Sequence, residues 1–227
     1  MSKGLFLVGT GTDIGKTYVA GLIVKKIQEA GYSSSYYKAA MSGNVRDATG
    51  QLIPGDAKWV QEVSGITQPL HTMCPFVYEH AYSPHLASRI EGNPVTIEKV
   101  LEGYQQVCTS YDYITMEGSG GILCPIDYDT KRIQLEDIIL ACNLPCLLIA
   151  DAGLGTINNV VLTVEYMRSH NLTLSGIIYN HFHPGNVMEE DNIRMCEEMT
   201  KVPTIAVVEP NASDLDLAVE KLLALYQ

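Results

Sequence analysis

The stretch Gly9-Thr10-Gly11-Thr12-Asp13-Ile14-Gly15-Lys16-Thr17 constrains this chain more than any other. It follows an apolar run, Leu5-Phe6-Leu7-Val8, and precedes a helical pattern that begins near Tyr18. A strand, a glycine-rich turn and a helix N-terminus in that order make a cradle for phosphate. Backbone N–H groups point into the loop, the helix dipole favours an anion, and a lysine reaches the outer phosphates. Thr17 can set its hydroxyl on Mg2+. Strict spacing asks for glycine at position 10, where Thr10 stands, with glycines at 9 and 11 instead. The competing reading is an ordinary strand-to-helix turn with an exposed Lys16.

Beyond this loop the pattern alternates. Apolar strand candidates are 5–8, 34–37, 113–116, 146–150, 175–179 and 204–208; helical patterns lie near 17–30, 56–64, 96–109, 135–142, 157–169, 188–199 and 212–226. Such alternation predicts an α/β fold, a mostly parallel sheet with helices on both faces in a three-layer sandwich. Ligands in these folds bind beyond the carboxyl ends of the strands, so the residues that follow each strand are the candidate site. Length predicts one domain over 1–227. Segments 43–56 and 66–95 read as loop-rich. No apolar stretch is long enough for a membrane helix. The chain runs straight into the first strand, and no signal peptide is expected.

A formal charge of −11 argues against a nucleic-acid or anionic-membrane surface. It also means that cations beside an anionic ligand must be placed deliberately, and Lys16 and Lys38 are the candidates. The six cysteines form no C-x-x-C pair and are expected as free thiols.

The strand ends carry the chemistry. Lys38 closes the second strand and can act as a fixed charge on a reacting anion; Ser42-Gly43 follow as a turn. Asp56, after Pro54-Gly55, reads first as a helix N-cap and second as an oxygen ligand for Mg2+. Ser83-Pro84-His85 opens another helix, with Ser83 as cap and His85 in local structure. Glu117-Gly118-Ser119-Gly120-Gly121 places a carboxylate at a strand end, where glycines let backbone approach a ligand. Asp151 through Asn159 is a second glycine-rich helix start, either an anion site or a plain Thr156 cap. Asn180 can pair with an adenine edge. His181-x-His183 lacks a third ligand for a metal. Glu209-Pro210-Asn211 ends the last strand at the same edge.

Taken together and in order, these motifs resemble the dethiobiotin synthetases, enzymes with a phosphate-loop NTPase fold. The resemblance runs over essentially the whole chain, and that family's loop also lacks the first glycine. Departures are Ala39 for a proline, Asp13 for a glutamate and Ser119 for an alanine. The resemblance implies an ATP- and Mg2+-dependent cyclo-ligase acting on 7,8-diaminononanoate and CO2. An amine traps CO2 as a carbamate, the carbamate attacks the γ-phosphate, and the second amine closes the cyclic urea, releasing ADP and phosphate. It implies nucleotide contacts at Asp13, Ile14, Gly15, Lys16, Thr17 and Tyr18, at Asp56, at Glu117, Gly118, Ser119 and Gly120, and at Asn180, His181, Pro210 and Asn211. Substrate contacts fall on Thr12, Lys38, Ser42, Gly118 and Gly121, and on Gly155, Thr156, Ile157 and Asn158 across a homodimer interface. Lys16 and Lys38 are the catalytic cations; Thr17, Asp56 and Glu117 are the metal ligands. A cytoplasmic setting is expected.

The alternative is a partition or cell-division ATPase switch. Those proteins carry an extra lysine where Gly11 stands, and glycines where Thr12 and Asp13 stand. Asp214, Asp216 and Glu220 also make the C-terminal stretch acidic rather than a basic membrane helix. An amidotransferase-linked synthetase would need a longer chain, and a non-catalytic binding module would leave Lys38 and Glu117 idle.

Overall fold

A computed structural model describes residues 2–227. Six strands form the central sheet: β1 (Lys3–Gly9), β2 (Ser34–Lys38), β3 (Tyr113–Glu117), β4 (Cys146–Asp151), β5 (Leu174–Asn180) and β6 (Thr204–Val208). All pairings are parallel, and the order across the sheet is β6-β5-β4-β1-β3-β2. The strands are apolar along their length because both faces are covered. On β1, Leu5 and Leu7 pack toward one layer and Phe6 and Val8 toward the other.

The first layer holds α1 (Lys16–Glu29) and α2 (Gly55–Ser64). The second holds α3 (Pro84–Glu91), α4 (Ile97–Ser110), α5 (Leu135–Cys142), α6 (Thr156–Ser169) and α7 (Val187–Thr200). A short α8 (Val219–Leu223) joins the first layer. Three layers and a parallel sheet are therefore as the alternation predicts. Among the described residues no helix is long and apolar enough to cross a membrane. The six cysteines are free.

Three segments differ from expectation. The helix expected over 212–226 is confined to Val219–Leu223. Its apolar residues are still buried: Leu215, Leu222 and Tyr226 are at most 2 % exposed. They reach the core from irregular chain that side chains pin down. Tyr18 donates to the Ala212 carbonyl, Lys25 to that of Ser213 at 2.8 Å, and Lys26 pairs with Asp214 at 2.9 Å. Within 43–56, Val45–Arg46 and Leu52–Ile53 form a small antiparallel ribbon. Within 66–95, Phe76–Val77 pairs in parallel with Ala40–Met41.

Register brings the strand ends into line. Lys38 and Leu7 both lie opposite Glu117, Gly9 opposite Ile149, and Asp151 opposite Asn180. One edge of the sheet thus gathers the residues that the sequence singles out.

Candidate active site

The loop between β1 and α1 is shaped by two left-handed residues, Asp13 (φ 59°) and Gly15 (φ 83°). A side chain at position 15 would run into the Asn180 amide, so only glycine fits there. No side chain caps α1, and its first turn carries no acidic residue. Its free N–H groups and positive end are left for an anion. Lys16 is buried, and its Nζ donates to the Gly11 carbonyl at 2.7 Å. Burial lowers its pKa to about 8; nearby Lys38 pushes the same way, while Glu117 opposes. This cation waits without a paired carboxylate.

Lys38 is the reverse case. Its Nζ donates to Asp56 Oδ2 and to Glu117 Oε1, each at 2.7 Å. Burial alone would lower its pKa, but the two carboxylates outweigh burial and hold it above the ordinary lysine value. Glu117 is 1 % exposed. Its Oε1 also accepts from Thr17 Oγ1 at 2.9 Å, and its Oε2 from Tyr36 at 2.7 Å. Tyr36 is absent from the sequence-derived set; it faces Glu117 only because β2 lies beside β3.

Asp56 is not a helix cap. Pro54 occupies the cap position of α2, and Asp56 stands in the first turn with its carboxylate turned to Lys38. Thr17, Asp56 and Glu117 thus present a hydroxyl and two carboxylates around one positive charge. Hard oxygen donors of this kind suit Mg2+.

These groups open onto a cleft of about 620 Å³. It is lined by Thr12, Asp13, Gly15, Lys16 and Thr17, by Lys38, Ser42 and Asp56, and by Glu117, Ser119 and Gly120. Ser83 and Pro84 of the Ser83-Pro84-His85 motif also line it, as do Tyr82 and Cys124, which no sequence motif marks. Burial pushes the Cys124 thiol up to about 11, against the pull of Lys16 and Lys38. Gly118 and Gly121 are not part of the lining. A Cβ on Gly118 would sit 2.9 Å from the Phe6 ring, and one on Gly121 3.4 Å from the Thr10 carbonyl. Their role in the structure is close packing of this turn against β1 and the phosphate loop.

Ile14, Tyr18, Asn180, His181, Pro210 and Asn211 are not part of the cleft lining. Asn180 is buried, and its Nδ2 donates to the Ile14 carbonyl at 3.0 Å. Pro210 and Asn211 are exposed. The two histidines of His181-x-His183 do not converge: His181 Nδ1 pairs with Asp151 at 2.6 Å and His183 with Glu189 at 3.1 Å. His85 stays local, 3.0 Å from Ser83 Oγ.

Gly155, Ile157 and Asn158 face a separate groove of about 490 Å³, shared with Leu154, Leu162 and Met199. Gly155, in the left-handed region, holds the cap position of α6. Thr156 is therefore not the cap, and its buried Oγ1 has no partner.

A family model described as an AAA domain matches residues 3–216. A protein of Brachyspira hyodysenteriae named ATP-dependent dethiobiotin synthetase is 48 % identical over 217 residues, 95 % of this chain and 96 % of that one. One of the same name from Clostridium perfringens is 44 % identical, covering 95 % and 94 %. Among solved structures, a MinC:MinD cell division complex of Aquifex aeolicus superposes with a TM-score of 0.56 at 11 % identity, covering 97 % of this chain and 85 % of that one. A ParA family ATPase of Chlorobium tepidum gives 0.55 at 13 %, covering 98 % and 88 %. At such identities these two likenesses show the fold alone. The identity to the synthetases, carried over nearly the full length of both chains, decides between the two readings of the phosphate loop: this chain belongs to the dethiobiotin synthetase family.

Proposed function

We propose that this chain, acting as one domain over 1–227 in a cytoplasmic homodimer, is an ATP-dependent dethiobiotin synthetase. Its substrates are 7,8-diaminononanoate, CO2 and ATP; its products are dethiobiotin, ADP and phosphate. The observation that carries the proposal is the meeting of Lys16, Lys38, Asp56, Glu117 and Thr17 in one cleft of a chain of this family.

The difficulty of the reaction is electrostatic. A carbamate and a triphosphate, both anions, must come together in a water-poor site. Lys16 and the N-terminus of α1 take the phosphates. Lys38, fixed between Asp56 and Glu117, stays charged throughout; it steadies the transferring group and does not serve as a base. Thr12 and Ser42 meet the carbamate or diamine from the cleft wall. Thr17, Asp56 and Glu117 would hold Mg2+, which supplies charge neutralisation at the phosphate oxygens. The carbamate oxygen displaces ADP from the γ-phosphorus; the second amine then attacks the carbamoyl carbon, loses a proton and expels phosphate. Asn180, flanked by His181, Pro210 and Asn211, receives the base.

The reading is tested by one assay. The protein is incubated with diaminononanoate, bicarbonate and MgATP, and dethiobiotin is sought by mass. Product that requires all three is expected. No product, with ATP hydrolysis stimulated by another protein, would favour the switch.

Asp56→Asn should raise the Mg2+ needed for half-maximal turnover by about tenfold and shift the melting temperature little. Its own side chain is 40 % exposed, and Lys38 keeps Glu117 as a partner when Asp56 is lost. A fall in melting temperature with an unchanged Mg2+ requirement would remove it from the metal set.

The separation of Gly155–Asn158 from the cleft supports a site shared between protomers. So do Leu154 and Leu162 beside it, 90 % and 63 % exposed. Mixing Lys38→Ala chains with Asn158→Asp chains should restore one working site per mixed dimer. Absence of any recovery would place each site within a single chain.

A further inference from the structure

We propose that His181 and Asp151 form a clamp that locks the Asn180 amide in one orientation, so that its oxygen selects a purine bearing an exocyclic 6-amine. The inference rests on the reading of Asn180 as the residue that meets the base.

The orientation follows from what each partner can donate. Asn180 Nδ2 lies 3.0 Å from the Ile14 carbonyl oxygen, which only accepts. The amide must therefore turn its nitrogen, not its oxygen, to the phosphate loop. The same nitrogen lies 3.2 Å from His181 Nε2. Whether that ring atom accepts depends on the other side of the imidazole. There, Nδ1 is 2.6 Å from Asp151 Oδ2. A carboxylate accepts, so a ring proton sits on Nδ1, and in the neutral imidazole Nε2 then carries the lone pair. Both hydrogens of the Asn180 amide are then taken.

Asn180 Oδ1 is left over. It is buried, in a residue 1 % exposed, and it has no partner. A buried acceptor without a donor destabilises the free protein until a donor arrives. The 6-amine of adenine supplies the missing N–H. The 6-oxo group of hypoxanthine or guanine would set oxygen against oxygen.

The clamp is itself held in place. Asp151 uses its second oxygen, Oδ1, to accept from Gly153 N at 2.7 Å. His181 sits in the left-handed region, φ 57°, which turns its ring back over Asn180. That backbone conformation is uncommon outside glycine, though histidine is among the residues enriched there. The next amide, Phe182 N, is tied to the Val208 carbonyl at 3.0 Å. His181 is thus a positioning residue, and it acts on the base through Asn180.

The test measures dissociation constants for MgATP and MgITP by calorimetry on the full chain. The wild type should favour ATP by about 10- to 100-fold, the value of one hydrogen bond made against one refused. His181→Ala and Asp151→Ala should each lower that ratio several-fold, and the double variant should lower it little further, because the two act as a unit. His181→Gln, whose side-chain oxygen can accept from the same amide nitrogen, should restore it. A purely structural role would weaken both nucleotides alike and leave the ratio unmoved; that result overturns the clamp while Asn180 keeps its role. A wild type that binds both nucleotides equally overturns the clamp and the base reading together. Dethiobiotin synthesis is scored separately, so neither outcome is confused with a failure of the proposed reaction.

Discussion

Lys38→Ala is expected to lower turnover by about 10²-fold or more while MgATP affinity stays within a few-fold of wild type. Such an interaction is felt where charge develops on the transferring phosphoryl group, not where the nucleotide is first held. The substitution has a second expected effect, which follows from burial. Glu117 is 1 % exposed and loses the cation paired with it. Thr17 and Tyr36 still donate to it, but a buried carboxylate without its cation costs on the order of 3–5 kcal/mol. For a chain of this length the melting temperature should fall by roughly 10 °C. The two effects are separable. Lys38→Met with Glu117→Gln replaces the pair by neutral groups of similar size, so stability should largely return and turnover should not. Near-normal turnover in Lys38→Ala at a temperature where it is folded would remove Lys38 from the catalytic machinery.

Much of the architecture was legible because burial and periodicity coincide. All six sheet strands stand where apolar runs predict them, and the three layers follow from their alternation with helices. The predicted ends fall one residue short at Lys38, Glu117, Asp151 and Asn180. A sequence reading stops a strand where polarity begins. Here the ladder runs on through polar residues that are buried or half-buried at the sheet edge and hydrogen-bonded there. Two of the four, Lys38 and Glu117, line the candidate cleft, so the misjudged boundary and the proposed function share one cause there. Asp56 fails for a related reason. Pro-Gly-Asp before a helix is a local capping pattern, but its partner Lys38 comes from another strand, and no local pattern reports that contact. Tyr36 is hidden in the same way, since its bond to Glu117 depends on strand order. At the C-terminus the spacing of the apolar residues predicts a helix face over 212–226. Their burial is real, but Leu215 and Leu217 reach the core from bends fixed by Lys25, Lys26 and Tyr18. Apolar spacing reports burial there and not helix.

Lys16→Ala should show the opposite balance to Lys38→Ala. MgATP affinity should fall by about 10²-fold, with turnover falling alongside, because a charged donor to the phosphates is removed from a buried site. The fold should lose little. In the free protein Lys16 has one partner, the Gly11 carbonyl, and no paired carboxylate. Its pKa, lowered to about 8 chiefly by burial, shows that the folded chain holds this charge at a cost. Deleting it removes that cost together with the one hydrogen bond, so the melting temperature of nucleotide-free protein should stay level or rise. Saturating MgATP should then stabilise wild type far more than the variant, since ligand-linked stabilisation follows affinity. The two lysines lie in the same cleft. What separates them is where their counter-charges come from. Lys38 has its own in Asp56 and Glu117, so it serves the fold and the reaction. On the proposed function, Lys16 receives its own only when nucleotide arrives, and it serves binding. If Lys16→Ala melted far below wild type yet bound MgATP normally, that division would be wrong, and the glycine loop would be a turn rather than a cradle.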